Sequence, residues 1–413
     1  MKLLRLRAYY EPEQVSGMNL SKDIDEAFSS TQISCYDIAP MPTRGISDKV
    51  RNEYKHIKTE IKYDGSIVVR RFAMMKEGHN PFQRAFRYLL CNIAEYNIGC
   101  KAEDIDIVYC ASTPPTQGML GSLVAKKLSR KYGKKVPFIY ELQDVFPDSL
   151  VNAGFASKDG LIWKIGRKIE DFTYKHSDKI IVISQGFKQN IMEKGVPEEK
   201  IEVVSNWIDL DSVHPVERKD NSLISEFGFD PSKFIVVYAG NFGATQGADI
   251  VIKAAKELIG EKDIQFVIFG GGPYYEDAKK EAEGLKNVFI HELLPQERVS
   301  EVYSLGDVAL ITCKAGTGKA GMPSKTWSIM ACNTPIIASF DTDSDLADVI
   351  RASGAGSCVK PEDAEALCKA IRKCKESTVF EYKSREYAKR NASKESCVNK
   401  YIQVLIQQYK RSE

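Results

Sequence analysis

The sequence predicts an α/β protein built from two doubly wound, Rossmann-like domains. Runs rich in Val and Ile, apolar on both faces, alternate with segments of helical spacing along most of the 413 residues. One polar stretch, LDSVHPVERKDNSLISEFGFDPSK at 210–233, breaks that rhythm with two prolines and no strand-like run. The alternation then restarts and continues almost to the end of the chain. A chain of this length exceeds one ordinary core, and βα units of this size form parallel sheets covered by helices on both sides.

The elements follow in order. KLLRLRAYY, TQISCYDIA, GSIVVRRFA, DIDIVYCAS, VPFIYELQD and KIIVIS read as strands of the first half. SKDIDEAFSS, PFQRAFRYLLCNIAEYN, GMLGSLVAKKLSRKYG and LIWKIGRKIEDFTYKH between them read as helices. After the break come FIVVYAG, IQFVIFGGG, NVFIHEL, VALITC and PIIASF, with helices expected over 247–260, 275–284, 296–305 and 344–352. The tail SKESCVNKYIQVLIQQYK reads as one amphipathic helix. The expected layout is a first domain at 1–209, a connection at 210–232, a second domain at 233–395 and a terminal helix at 396–413.

Composition excludes several classes. A net charge of +2 argues against a dedicated nucleic-acid binder. The longest apolar runs, such as KIIVIS at 179–184, are strand-sized, far short of the roughly 20 residues that span a bilayer. The start MKLLRLRAYY alternates charge with apolar residues and lacks a signal-peptide core, so a cytoplasmic protein is expected. The ten cysteines form no C-x-x-C pair and read as free thiols in a reducing compartment. The five histidines are scattered without ligand spacing, so no metal is predicted.

In open α/β sheets ligands lie beyond the C-terminal strand ends, so the loops there carry the chemistry. FIVVYAG runs into NFGATQG at 241–247, where Gly240 and Gly243 allow a tight turn or close approach of an anion; either reading fits. FGGGPYYED lacks the dinucleotide pattern, and Glu276 and Asp277 at the helix start disfavour a pyrophosphate. In the first loop, EPEQVSGMNLSKD, only Gly17 is present, which argues against a dehydrogenase and leaves a sugar contact or a plain loop glycine open. YELQDVFPDSL places Gln143 and Asp144 at a strand end, where Asp144 can bind sugar hydroxyls or act as a base. Asp148 is the better placed of the two acids to cap the following helix. SQGFKQNIMEKGVPEEKIEVVSNWID starts a helix with a Ser184 cap and ends a strand at Asn206. In GMPSKTWSIMACNTP, Ser324 can cap a helix that Pro323 leads into, and Lys325 falls in its first turn. A cation there is unfavourable by about 0.3–1 kcal/mol against the helix dipole, which suggests a compensating anion; a solvated surface lysine is the alternative.

Taken in order, SDKIIVISQGFKQNIMEKGVPEEKIEVVSNWID, VVYAGNFGATQGADIVIKAAKEL, NVFIHELLPQERVSEVYSLGDVALIT and MPSKTWSIMACNTPIIAS resemble the retaining family 4 glycosyltransferases of GT-B fold. YELQDVFPDS, GNFGATQG and MPSK resemble the branch with a Pro-Ser-Lys motif that builds bacterial capsule, O-antigen and exopolysaccharide. The resemblance implies two Rossmann-like domains facing a cleft, with acceptor on the first, nucleotide-sugar donor on the second and the terminal helix packing on the first. It implies no metal cofactor, a UDP-linked donor (plausibly of an N-acetylhexosamine) and an undecaprenyl-diphosphate-linked saccharide acceptor at the inner membrane face. Donor-side positions carried over are Gly17, Asn206, Asn241, Gly243, Gln246, Leu294, Pro323, Ser324, Lys325 and Ser328; Lys325, Asp144 and Gln143 are the catalytic candidates.

This sequence departs from the family where charge matters. The usual Glu-x7-Glu pair is replaced by Ala320 and Ser328, and the usual Arg and Lys after YAG by Asn241 and Gln246. Lys325 is the remaining candidate to neutralise a diphosphate. Gln143 stands where many members have a histidine facing the sugar. The basic helices at 124–135 and 161–172, the second with Trp163 beside Lys164, Arg167 and Lys168, suit a membrane surface or a solvated face. A GT-B nucleotide-sugar epimerase and a non-catalytic sugar-binding partner subunit are the competing functions.

Overall fold

In a computed structural model, the chain is described at residues 1–413 apart from 14, 16, 79, 113, 153, 155, 378–382 and 413. It divides into two compact units, Met1–Ser205 with Cys397–Glu413, and Asn206–Ser396. The first holds β1 (Lys2–Leu6), β2 (Ser34–Pro40), β3 (Thr59–Lys62), β4 (Ile67–Phe72), β5 (Ile107–Ala111), β6 (Phe138–Leu142), β7 (Lys179–Val182) and β8 (Ile201–Val203). Their order is β3-β4-β2-β1-β5-β6-β7-β8, parallel except for the β3 edge. The second unit holds β9 (Phe234–Asn241), β10 (Ile264–Gly271), β11 (Val288–Glu292), β12 (Val308–Thr312), β13 (Ile336–Ser339) and β14 (Gly356–Val359). Its order, β11-β10-β9-β12-β13-β14, is all parallel. Each unit therefore contains the 3-2-1-4-5-6 order of the doubly wound fold, with the strand order reversing beside β1 and β9.

Burial follows the two-sided pattern of these strands. Along β9, Ile235, Val237 and Ala239 enter one core while Val236 and Tyr238 enter the other, so both faces of the sheet are covered. In the first unit, Leu4 and Leu6 of β1 pack with Ile38, Val108, Phe138 and Ile180. Arg5 points to the opposite face and is still buried. It stands directly opposite Asp37 in register and meets Asp25 from the helix Met18–Ser29.

The stretch at 210–232 is not a free connection. Val213, Leu223 and Phe229 are buried in the second unit's core, and Asn221 caps a short helix, Ser222–Phe227. Its prolines and polar residues disguise three apolar anchors too widely spaced to show a period. The helix Lys394–Ser412 buries Cys397, Val398, Tyr401, Val404 and Leu405, and from Cys397 on it belongs to the first unit. Among the described residues no helix is long and apolar enough to cross a membrane. All ten cysteines are free.

Candidate functional site

The second unit gathers its candidates where β9 ends. Gly240 pairs with Gly270 and Asn241 with Gly271 across the β9–β10 ladder, so two glycine-ended strands lie side by side. The short helix Lys325–Ala331 sends the Lys325 side chain back to this edge. Its ammonium donates to the Ala239 carbonyl at 2.8 Å and lies 4.6 Å from the centre of the Tyr238 ring. A Cβ on Gly240 would stand 2.3 Å from that nitrogen, so Gly240 is needed for the ammonium's position rather than for a turn. Burial without a counter-ion pushes the Lys325 pKa down to about 8. Lys314 makes the contrast: it lies 2.9 Å from Asp249 and 3.0 Å from Glu362, and those carboxylates raise its pKa.

The loop after β9 is fixed from several sides. Thr312 donates to the Gln246 carbonyl at 2.7 Å, and Thr317 and the Lys314 amide both reach the Thr245 carbonyl. Gly247 has φ +57°, and a Cβ there would meet the Cys313 carbonyl oxygen at 2.6 Å, so only glycine fits. The side chains of Asn241 and Gln246 converge over Gly243, where a Cβ would lie 2.7 and 2.4 Å from them. The triple glycine at 270–272 makes room as well: Cβ atoms at Gly270 and Gly272 would strike Phe242 and Asn241. Neutral amides thus gather over Gly243, three residues after the glycine that makes room for the ammonium.

Several expected roles change. Ser324 occupies the N-cap position but lies in helical φ/ψ and makes no side-chain cap bond, because Pro323 brings the chain in already turned. Its side chain is exposed, Pro323 is half-buried, and Ser328 lies three residues beyond Lys325 in the same helix. The side chain at 320 lies outside the described residues. Leu294 packs against the core after β11. Asn206 does not end a strand: β8 stops at Val203, and Asn206 opens the second unit.

The first unit brings Gln143 and Asp144 to the end of β6, where the Ser112 hydroxyl accepts from both backbone amides at 3.0 and 3.1 Å. The Gln143 side chain donates to Glu141 at 2.5 Å. Glu141, buried and not singled out in the sequence, also accepts from Tyr109 and, at 2.8 Å, from Tyr401 of the terminal helix. Local desolvation raises the Asp144 pKa, and a hydrogen bond from Ser149 opposes this. Asp148 is bound by Lys194 at 2.8 Å and Asn190 at 3.2 Å. Gly17 stands apart from these, in left-handed conformation with φ +80° before the helix Met18–Ser29, with open space where a Cβ would be.

The comparisons with known proteins follow this division. Residues 54–212 match the family model described as Glycosyltransferase Family 4, and 220–395 match Glycosyl transferases group 1. The chain is 28% identical over 243 residues to the Pseudomonas aeruginosa protein named as a glycosyltransferase, WbjE, covering 58% of this chain and 60% of that one. It is 28% identical over 273 residues to Escherichia coli K12 WcaI, named for colanic acid biosynthesis glycosyl transfer, covering 64% and 66%. These matches span a little under two thirds of either relative's length. Anabaena HepE, solved in complex with UDP and glucose, superposes with a TM-score of 0.69 at 13% identity over 98% of this chain and 100% of that one. Two glycosyltransferase family models thus match in tandem along the chain, and the chain has the GT-B fold.

Proposed function

We propose that the protein is a retaining glycosyltransferase of cell-surface polysaccharide synthesis. It moves a sugar, an N-acetylhexosamine, from a UDP-linked donor to an undecaprenyl-diphosphate-linked saccharide. The observation that carries this reading is Lys325: a desolvated ammonium with no carboxylate partner among the described residues, held at the strand edge where this fold binds ligands. A departing diphosphate supplies the missing negative charge, and a preplaced cation stabilises it without reorganisation. The UDP complex of HepE and the naming of WcaI for colanic acid biosynthesis support the donor and pathway class. On this reading no metal takes part, and Asn241, Gly243 and Gln246 line the donor with neutral groups. Asp144 or Gln143 meets the transferred sugar.

A lipid-linked acceptor places the protein at the inner face of the membrane. The helix Leu161–His176 supports this by exposing Leu161, Ile162 and Ile165 beside Lys164 and Lys168, an apolar-and-basic face suited to anionic headgroups.

The test is transfer of label from UDP-N-acetylhexosamine to undecaprenyl-diphosphate-linked saccharide in vesicles, with the anomeric configuration of the product read by NMR. Retained configuration supports the reading. Conversion of donor to its epimer without acceptor would make the protein an epimerase. Tight UDP binding with no turnover on any acceptor would make it a non-catalytic partner.

A further inference from the structure

The first unit carries an arginine cluster that none of the functions above uses. The segments leaving β1, β2 and β4, with the first turns of the helix Pro81–Gly99, supply Tyr9, Arg44, Glu77, Arg84, Arg87 and Tyr88. Glu77 is buried with three guanidinium groups inside 4 Å: Arg84 Nε at 3.1 Å, Arg44 Nη1 at 3.7 Å and Arg87 Nε at 3.7 Å. One carboxylate oxygen accepts from Tyr9 at 2.5 Å; the other makes no hydrogen bond. Arg87 is fully buried over the Tyr9 ring and donates to Thr43 and to the Ala8 carbonyl, yet its Nη1 has no hydrogen-bond partner among the described residues. The Arg44 and Arg84 side chains remain 47% and 40% exposed.

This is not how the same unit builds a structural ion pair. Arg5 makes bonds of 2.5, 2.6 and 2.8 Å to Asp25 and Asp37, with every nitrogen matched. Around Glu77 two of the three guanidinium distances are 3.7 Å, and Arg84 Nε and Arg87 Nη1 make no hydrogen bond among the described residues. Glu13 is buried too, but its oxygens accept from the Tyr10, Thr43 and Arg44 amides and the Thr43 hydroxyl rather than from these guanidinium groups. Glu95, on the same helix, is buried and pushed up to about 8, so it is largely uncharged at neutral pH. Positive charge is therefore in excess where three parallel strands end.

We propose that Arg44, Arg84 and Arg87 form an oxyanion site for a negatively charged group of the acceptor. The forked donors of arginine match phosphate or carboxylate oxygens. The inference rests on the first unit being the acceptor domain. Two sources carry this chemistry: the diphosphate of a lipid carrier and an acidic sugar of the growing saccharide.

Titration calorimetry on the 413-residue Lys325→Gln chain, where the second unit's candidate donor cation is gone, tests the site with inorganic pyrophosphate and with glucuronate. At least one should bind, and adding Arg44→Gln with Arg84→Gln should weaken it tenfold or more. Arg44→Lys with Arg84→Lys should keep part of the affinity. Binding of pyrophosphate alone points to the carrier, and of glucuronate alone to the sugar. No binding of either probe, or equal binding to the double Gln variant, would overturn the site. UDP titration into the unsubstituted chain runs in parallel; its failure would count against the donor reading and leave the arginine result standing.

Discussion

The first unit sets two arginines, Arg5 fully buried and Arg7 partly so, against two buried aspartates, Asp25 and Asp37, inside its sheet-and-helix layer. The second unit, with the same strand order, places a single ammonium against a carbonyl and a ring. The matched cluster sets two cations against two carboxylates and is balanced in charge without a ligand. The unmatched one is less stable in the free protein than it need be, since a buried charge costs free energy until an opposite charge arrives. The same topology thus supports two uses of charge, and the missing counter-ion marks the one directed at a ligand.

Breaking the matched cluster should have the largest effect. Asp37→Asn leaves the two arginine charges facing the single carboxylate of Asp25 and should cost about 3–5 kcal/mol of stability, read from denaturant midpoints. Lys325→Gln should behave in the opposite way. Its Tm should hold or rise, while kcat falls on the order of 10²–10³-fold, as when a transition-state donor is removed. A matching loss of stability would show that Lys325 is structural. Gly240→Ala sharpens the same point: a Cβ 2.3 Å from the ammonium must displace it. A drop in kcat/KM on the order of 10–10²-fold is expected, with an unchanged circular dichroism spectrum.

The smallest effect is on pH dependence. Lys325 is charged below about 8 in the free protein, so kcat/KM for the donor should fall as pH rises through that value. Stability should move the other way. The folded pKa lies below the ordinary 10.5, so the charged form costs stability below about pH 8, and that cost fades between 8 and 10.5. A Lys325→Gln chain should show neither trend from this group.

Much of this was legible in the sequence where one property repeats locally. The Val/Ile runs of β9, β10 and β12 declare strands buried on both faces. The β3 edge, TEIK, was missed because it alternates polar residues on a partly exposed antiparallel edge. Lys325 was legible as a cation misplaced at a helix start, but its partner Ala239 is 86 residues away and contributes only a carbonyl. Gly240 reads as a glycine for a tight turn or for an approaching anion, and the side chain it makes room for is equally distant in the sequence. Gly247 was passed over because the clash that requires it comes from Cys313 in another strand's exit loop. Arg44, Arg84 and Arg87 come from two separate segments and have no common spacing, so only the fold brings them to Glu77.

Proton uptake on UDP binding tests the role of Lys325 most directly. At pH 8 the free ammonium is about half protonated, and a diphosphate beside it raises its pKa. Calorimetry in two buffers of different ionisation enthalpy should show about half a proton taken up per UDP bound, and none for Lys325→Gln. UDP binding without proton uptake, or with equal uptake by the variant, would contradict Lys325 as the cation that meets the donor.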